Sequence, residues 1–272
     1  MTTHSSVARR HYDVAGLLPK VKAALAAFGP EETALSPKQL APLDQFHTRG
    51  LLATADLARE MGLAAGMRVL DLGCGLGGPA RYLADTYGLD VTGVDLSDSF
   101  VDTARYLSER CGLADRTTFV VGDAMDPPVE AASFDRVFLQ HVAMNIADRV
   151  ALYRAIRRVL RPGGKLGIHD LVAGAGDLHF PLPWARGPEG SHVLTMDQTR
   201  EALTAAGLRV EAWRDDAEAA GQWFAAMQSA GPPAGPSLAL VLGADFQGMT
   251  ANIARNLREG RLGGVLMAVV HC

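Results

Sequence analysis

Two aspartates and a run of glycines are the first residues whose types and spacing can do chemistry. Asp71, Gly73, Gly75, Gly77 and Gly78 follow a short apolar run and open a stretch of helical spacing, with Cys74 inside the loop. Glycines there let the backbone turn sharply and let a ligand approach main-chain N–H groups without side-chain obstruction. Asp95, followed by Leu96, ends the next apolar run 24 residues beyond Asp71. A carboxylate so placed can accept both hydrogens of a ribose diol, the alternative being a cap on the helix that begins near Ser97. No lysine follows the glycines as in a triphosphate loop, and Asp71 would oppose a pyrophosphate. Gly122, Asp123 and Ala124 add a carboxylate able to accept from an adenine amine, with room beside it for the ring. Together these positions describe a pocket for an adenosyl group that carries ammonium and sulfonium charge.

Three histidines stand where proton transfer could be served. His141 follows the fourth apolar run, with Gln140 and Asn145 close by; an imidazole titrates near neutrality and suits a general base. Its other reading is a ring that hydrogen-bonds a loop beneath the ligand. His169, beside Asp170, ends the fifth run, and His47 sits in the polar-aromatic stretch Asp44, Gln45, Phe46 ahead of a helix. Tyr12, Phe180, Trp184, Trp223 and Phe246 are candidate walls for an acceptor, since aromatic faces bury apolar groups and attract cations. They would serve equally as the core of a cap.

These side chains need a frame. Short apolar runs at 67–72, 91–95, 117–121, 134–139 and 165–169 alternate with helical spacing at 79–87, 99–110 and 149–160. Strand alternating with helix predicts a largely parallel sheet covered on both faces. Proline and glycine at Arg161, Pro162, Gly163 and Gly164 predict a helix stop and a turn into the next strand. Further strands at 208–213 and 264–270 and a helix at 197–206 complete an α/β, Rossmann-like, seven-stranded mostly parallel sheet with flanking helices. Helical spacing at 12–28, after Ser36-Pro37 and at 51–61 makes residues 1–62 a helical cap segment. Residues 214–263 carry enough apolar side chains to pack as a second helical cap, with 231–236 separating two helices. Residues 171–196 form a loop segment for the acceptor, and the whole is a single domain of 272 residues around a core at 67–170. The additions are placed to roof the carboxyl ends of the strands, where open parallel sheets bind ligands.

The runs around Asp71 to Gly78, Val94-Asp95, Gly122-Asp123-Ala124 and Arg161 to Gly164 resemble, in order, the signatures of class I S-adenosylmethionine-dependent methyltransferases. The likeness spans roughly residues 67–170. It implies that Gly73, Gly75 and Gly77 border the methionine part of S-adenosyl-L-methionine, with Asp71 and Cys74 also in the cofactor-binding set. It also implies that Asp95 holds the ribose hydroxyls and that Asp123, Ala124 and Met125 surround adenine, with Leu96, Gly122 and Gln140 completing the cofactor-binding set. The phrases around Gln140–Ile146 and Trp184 resemble small-molecule enzymes of the sarcosine/dimethylglycine, phosphoethanolamine and tocopherol methyltransferase kind. The implied function is methyl transfer to a small-molecule acceptor by in-line displacement, releasing S-adenosyl-L-homocysteine. His141, His169 and His47 are its candidate bases, and Tyr12, His47, His141, Asn145, Phe180, Trp184, Trp223 and Phe246 its acceptor contacts. An amine acceptor would need no base. A nonenzymatic metabolite sensor keeping the cofactor pocket, or an NAD-dependent oxidoreductase, are the competing readings.

Composition narrows the field further. Apolar residues are 48% and charged residues 21% of the chain, and the net charge is −4, without the basic stripe that nucleic acid requires. The cluster Arg157, Arg158 and Arg161 ends a helix, where cations suit the dipole. No run of about 18 uncharged apolar residues or signal-like leader is present, which predicts a cytoplasmic protein without membrane insertion. Cys74, Cys111 and Cys272 share no metal-ligand spacing and leave an odd thiol, so neither a metal nor a disulfide framework is expected. The exposed cap helices could shield the site or form a homodimer seam.

Overall fold

The computed structural model describes Tyr12, residues 14–230 and residues 235–271. Cys272 and residues 231–234 of the expected interhelical separator lie outside the described residues. The chain forms α1 (Leu17–Leu25), α2 (Pro37–Asp44), α3 (Leu51–Glu60), β1 (Arg68–Leu72), α4 (Gly78–Tyr87), β2 (Asp90–Asp95) and α5 (Asp98–Arg110). It continues through β3 (Thr117–Val121), β4 (Phe134–Gln140), α6 (Arg149–Val159), β5 (Leu160–Ala173), α7 (Met196–Ala205) and β6 (Arg209–Asp215). Then come α8 (Ala217–Ala230), the short α9 (Ala239–Leu242), α10 (Phe246–Arg258) and β7 (Leu262–His271).

One seven-stranded sheet has the order β3-β2-β1-β4-β5-β7-β6. The first five strands in that order are parallel, and β7 runs antiparallel to both β5 and β6. Leu72 pairs in register with Val94, and Asp71 with Phe138. The carboxyl ends of β1, β2 and β4 therefore open on one edge, and the loops that follow them must converge there. Leu152, Tyr153, Ile156 and Val159 of α6 pack on one face of the sheet. Leu57 and Met61 of the α3 region, Leu83 of α4 and Val101 of α5 pack on the other. A strand buried on both sides explains why the runs of the sequence are continuously apolar rather than alternating.

Three boundaries differ from expectation. The helical spacing of residues 12–28 does not give one continuous helix among the described residues: Tyr12 is helical, residues 14–16 turn the chain with Gly16 at φ 67°, and α1 then starts at Leu17 and tightens to 3-10 geometry at Ala26–Phe28. Arg161 to Gly164 do not interrupt the strand: β5 begins at Leu160 and runs to Ala173, and the partners of β4 jump from Phe134↔Leu160 to Arg136↔Lys165. The extra residues are absorbed as a bulge, with Gly163 at φ 77°. Residues 171–173, expected in the acceptor loop, thus finish the strand.

The glycine loop is fixed from behind by a buried cation. Arg81 of α4 is fully buried; it donates to the Leu76 carbonyl (2.6 Å) and the Ala104 carbonyl (3.1 Å) and pairs with Asp44 at the end of α2 (2.7 Å). Burial outweighs the attraction of Arg81 and pushes the Asp44 carboxyl up to about 6. Ser36 caps α2 through a reciprocal pair with Gln39, and Pro37 follows as the N1 residue. Helix α2 is thereby held against the loop that α4 closes.

Candidate functional site

A cavity of about 810 Å³ lies at this carboxyl edge. It is near the upper end of the roughly 300–1,000 Å³ that single small-molecule sites span. At its sheet end are Gly73, Gly75, Asp95, Leu96, Gly122 and Asp123, followed by Ala124, Met125 and Gln140. The Asp95 carboxylate accepts from Gly75 N–H at 2.9 Å and from Ser97 N–H at 3.0 Å. Ser97, not Asp95, caps α5 by accepting from Phe100 N–H. Burial raises the Asp95 carboxyl above its ordinary range, opposed by these backbone donors. Asp123 accepts from Met125 N–H at 2.9 Å, which shapes the loop after β3.

Three other residues of the expected cofactor set do not line this cavity. Asp71 and Cys74 are buried at 2% and 4% exposure behind it, and Gly77 is the left-handed residue that starts α4. A side chain at Gly77 would strike the Phe119 ring, so its glycine answers to packing. Burial, reinforced by the charge of Asp95, pushes the Asp71 carboxyl up to about 7.

The three histidines do come together. The His141 and His169 rings stack with centroids 5.2 Å apart, and His47 meets them at 6.0 and 5.7 Å. His47 Nε2 donates to the Gly50 carbonyl at 2.9 Å and lies 3.0 Å from the Thr54 hydroxyl and 3.1 Å from Gln140 Nε2. His47 and His141 line the cavity, whereas His169 lies beneath it. His141 carries φ 55°, a left-handed conformation costly for a residue with a Cβ. Its Nε2 and the Gln140 Oε1 are buried without a hydrogen-bond partner among the described residues. Burial depresses His47 to about 4 and His141 well below its usual range, with His47 adding to the effect on His141. The near-neutral ionisation expected of His141 is thus moved to acid pH by desolvation.

The rest of the cavity is apolar. Tyr12, Trp184, Trp223 and Phe246 line it, as does Asn145, which accepts from the Tyr12 hydroxyl at 3.4 Å. Trp184 is buried and anchored by its indole N–H, which donates to Ser191 Oγ at 2.9 Å. Phe180, expected as a wall, instead packs with Leu171, Leu182 and Ile253 behind that wall. The sequence reading missed Phe46, Phe100, Met144, Leu238, Leu242 and Ile253 as lining residues. Phe46 and Met144 adjoin His47 and His141, which was a usable signal. Phe100 has the spacing of an ordinary core residue, and only the tertiary fold brings its ring edge-on to Tyr12 (5.9 Å) and tilted against Phe46 (5.7 Å). Among the described residues the ionisable side chains on the cavity are Tyr12, His47, Asp95, Asp123 and His141, with no lysine or arginine. No cluster of three or more metal-ligating side chains occurs among the described residues, and no helix there is long and apolar enough to cross a membrane.

The fit of an adenosyl cofactor can be read from the glycines and the acids. A Cβ built on Gly75 would meet only Phe46, at 3.7 Å. The Gly75 backbone therefore faces open cavity beside the Asp95 carboxylate, and Asp123 lines the same cavity. A group presenting hydroxyls and an amine suits those acceptors.

Residues 70–168 match the family model of the methyltransferase domain. The 27-O-demethylrifamycin SV methyltransferase of Amycolatopsis mediterranei is 35% identical over 179 residues, covering 64% of this chain and 65% of that protein. A sterol 24-C-methyltransferase of Gibberella zeae is 40% identical over 114 residues, 42% of this chain and 30% of its own. The chain therefore spans between about a third and two thirds of these curated relatives. Among solved structures, the [4+2]-cyclase SpnF superposes with a TM-score of 0.68 at 24% identity, covering 99% of this chain and 97% of that one. Geranyl diphosphate C-methyltransferase of Streptomyces coelicolor superposes with a TM-score of 0.72 at 15% identity, covering 99% and 97%. At such identities the two structures speak for the fold.

Proposed function

Residues 70–168 are a class I S-adenosylmethionine-dependent methyltransferase domain, and from that premise we propose that the whole chain is an enzyme that methylates a hydroxyl group of a bulky, uncharged, largely apolar small molecule. The observation that carries this reading is the continuity of the cavity. The glycine loop and Asp95 share one space with His141 and with the aromatic walls of both caps.

In this reading Asp95 accepts from the ribose hydroxyls, Gly73 and Gly75 give backbone access to the methionine part, and Asp123 to Met125 border adenine. When bound, S-adenosyl-L-methionine supplies an electrophilic methyl group on a sulfonium. Tyr12, Trp184, Trp223 and Phe246 hold the acceptor and keep water away, which supports the rate by fixing orientation. His141 takes the hydroxyl proton as the oxygen forms its bond to carbon. Nδ1 is the ring nitrogen left for this, since Nε2 is enclosed. Depressed basicity keeps that nitrogen free of a proton at neutral pH. An anionic acceptor would enter a lining that offers it no cation among the described residues, and an unpaired buried charge is costly. The free thiols Cys74 and Cys111 support a reducing, cytoplasmic setting.

The test incubates the purified protein with isotope-labelled S-adenosyl-L-methionine and fractionated metabolite extract. Labelled methyl ether in the apolar, uncharged fraction is expected. Sound cofactor binding without label transfer to any fraction would instead favour a metabolite sensor.

A further inference from the structure

His169 is completely buried, and neither of its ring nitrogens meets a hydrogen-bond partner among the described residues. Buried polar atoms without partners are uncommon and call for an explanation. What the ring does meet is the His141 imidazole, stacked at 5.2 Å with only 25° between planes, while His47 approaches edge-on at 81°. The same residue holds His141 through the backbone, because His141 N–H donates to the His169 carbonyl at 2.8 Å. His141 is the residue with the left-handed backbone at the end of β4, and a strained residue keeps one conformation only when its surroundings over-determine it. Gln140, its neighbour, pairs with His169 across the parallel strands β4 and β5. Two rigid elements thus present two rings to each other at the floor of the cavity.

We infer that His169 is a positioning residue: its ring is the shelf on which the His141 imidazole lies, and it holds that imidazole in one orientation toward the cavity and out of water. The significance of this for catalysis rests on the reading of His141 as base; the physical claim does not. The face of the ring does the work, and its nitrogens do not, so a phenylalanine should replace it and an aliphatic side chain should not. The titratable and charged groups around the pair are His47 from the segment after α2, Asp170 beside His169 on β5, and Arg49 and Arg214, whose charges act on His169. Tyr12 and Asp95 line the cavity that His141 faces.

The experiment is proton NMR of the imidazole Cε1–H signals in the full chain saturated with S-adenosyl-L-homocysteine, comparing wild type, H169F and H169L. Expected are a ring-current displacement of the His141 signal in wild type and H169F that is lost in H169L. The His141 midpoint should also move upward by at least half a pH unit in H169L alone, toward the ordinary imidazole value of about 6.5. H169L matching wild type in both signals, or H169F behaving like H169L, would overturn the inference. Should H169L not fold, a wild-type His141 signal at its unstacked position would overturn it as well, and a displaced one would support it. Absence of methyl transfer in the assay above leaves these signals untouched, so the two readings fail separately.

Discussion

Arg49 places its guanidinium between two carboxylates, 2.5 Å from Asp56 and 2.5 Å from Asp216. Asp56 belongs to α3 and Asp216 to the junction from which α8 starts, so one side chain ties the N-terminal helices to the C-terminal ones. His47, two residues before Arg49, and Trp223, seven after Asp216, both line the cavity. Asp216 is 5% exposed and also receives Arg214 at 2.6 Å. The two walls of the cavity are therefore held together by a largely buried ion cluster.

Breaking that tie should be costly. Removing one member of a buried pair leaves an uncompensated charge, worth about 3–5 kcal/mol, and Arg214 should keep Arg49→Ala at the low end of that range. Urea unfolding is expected to show a loss of about 3 kcal/mol, together with weaker binding of S-adenosyl-L-homocysteine by calorimetry. A loss below 0.5 kcal/mol would mean that the caps are held by their apolar contacts alone.

Gly73 and Gly75 should respond differently to the same change. Both have positive φ, 77° and 53°, so alanine at either costs roughly 1–2 kcal/mol in backbone strain. At Gly73 the new methyl would also run into the Val142 side chain next to His141, whereas at Gly75 it points into open cavity with Phe46 at 3.7 Å. Gly73→Ala should therefore lose more stability, and Gly75→Ala should lose cofactor affinity at little extra cost in stability. Melting curves and calorimetry on the pair decide this; the reverse ranking would reassign the two glycines.

That distinction marks how far the sequence could be read. Spacing alone located the glycine loop, Asp95 and the strand edge, because strand, turn and helix signals are local. It did not separate Gly73 and Gly77, where an added Cβ would strike Val142 and Phe119, from Gly75, where it would meet open cavity, because those neighbours are distant in the chain. The same limit explains His169 and Phe180, whose sequence positions suited a cavity wall but whose rings pack behind it. The helices flanking the core were legible as apolar segments, yet Leu242 and Ile253 line the cavity only through the packing of α9 and α10.

Asp95→Ala removes the acceptor for two backbone N–H groups and, in the proposed complex, for the ribose hydroxyls. Hydrogen bonds to a charged group are worth roughly 1.5–3 kcal/mol, which is at least a tenfold loss of affinity. Isothermal titration of S-adenosyl-L-homocysteine into the folded variant measures it. An unchanged dissociation constant would remove Asp95 from the ribose site.

Asp71 predicts a pH-dependent gain. Its folded carboxyl, pushed up to about 7 by burial and by Asp95, holds its proton more tightly than in the unfolded chain. The contribution to stability is therefore full below about pH 4 and lost as pH rises through 7. Asp71→Asn stays neutral throughout, so relative to wild type it should gain about 1.4 kcal/mol per pH unit between pH 4 and pH 7, about 4 kcal/mol in all by pH 8. His47, depressed to about 4, pulls wild type the opposite way on the acid side but cancels in the difference between the two proteins. Parallel stability curves for the two across that window would show that Asp71 is ionised in the folded state.

His141 offers the sharpest test of mechanism. Burial holds its imidazole well below the usual range, with His47 adding to the effect, so the neutral ring is populated throughout the neutral region. If it is the base, single-turnover methyl transfer to the acceptor recovered from the labelling assay should be flat near pH 7 and fall only on the acid side. H141Q keeps a hydrogen-bonding side chain of similar reach but accepts no proton. Its rate should drop by about 10²–10⁴-fold, the usual worth of general base catalysis, and the acid limb should vanish with it. Affinity for S-adenosyl-L-homocysteine should stay within a few-fold, and circular dichroism should match wild type. A variant as fast as wild type with the same acid limb would assign the proton transfer elsewhere. His47 would then be the next candidate, because among the described residues it is the other imidazole that lines the cavity.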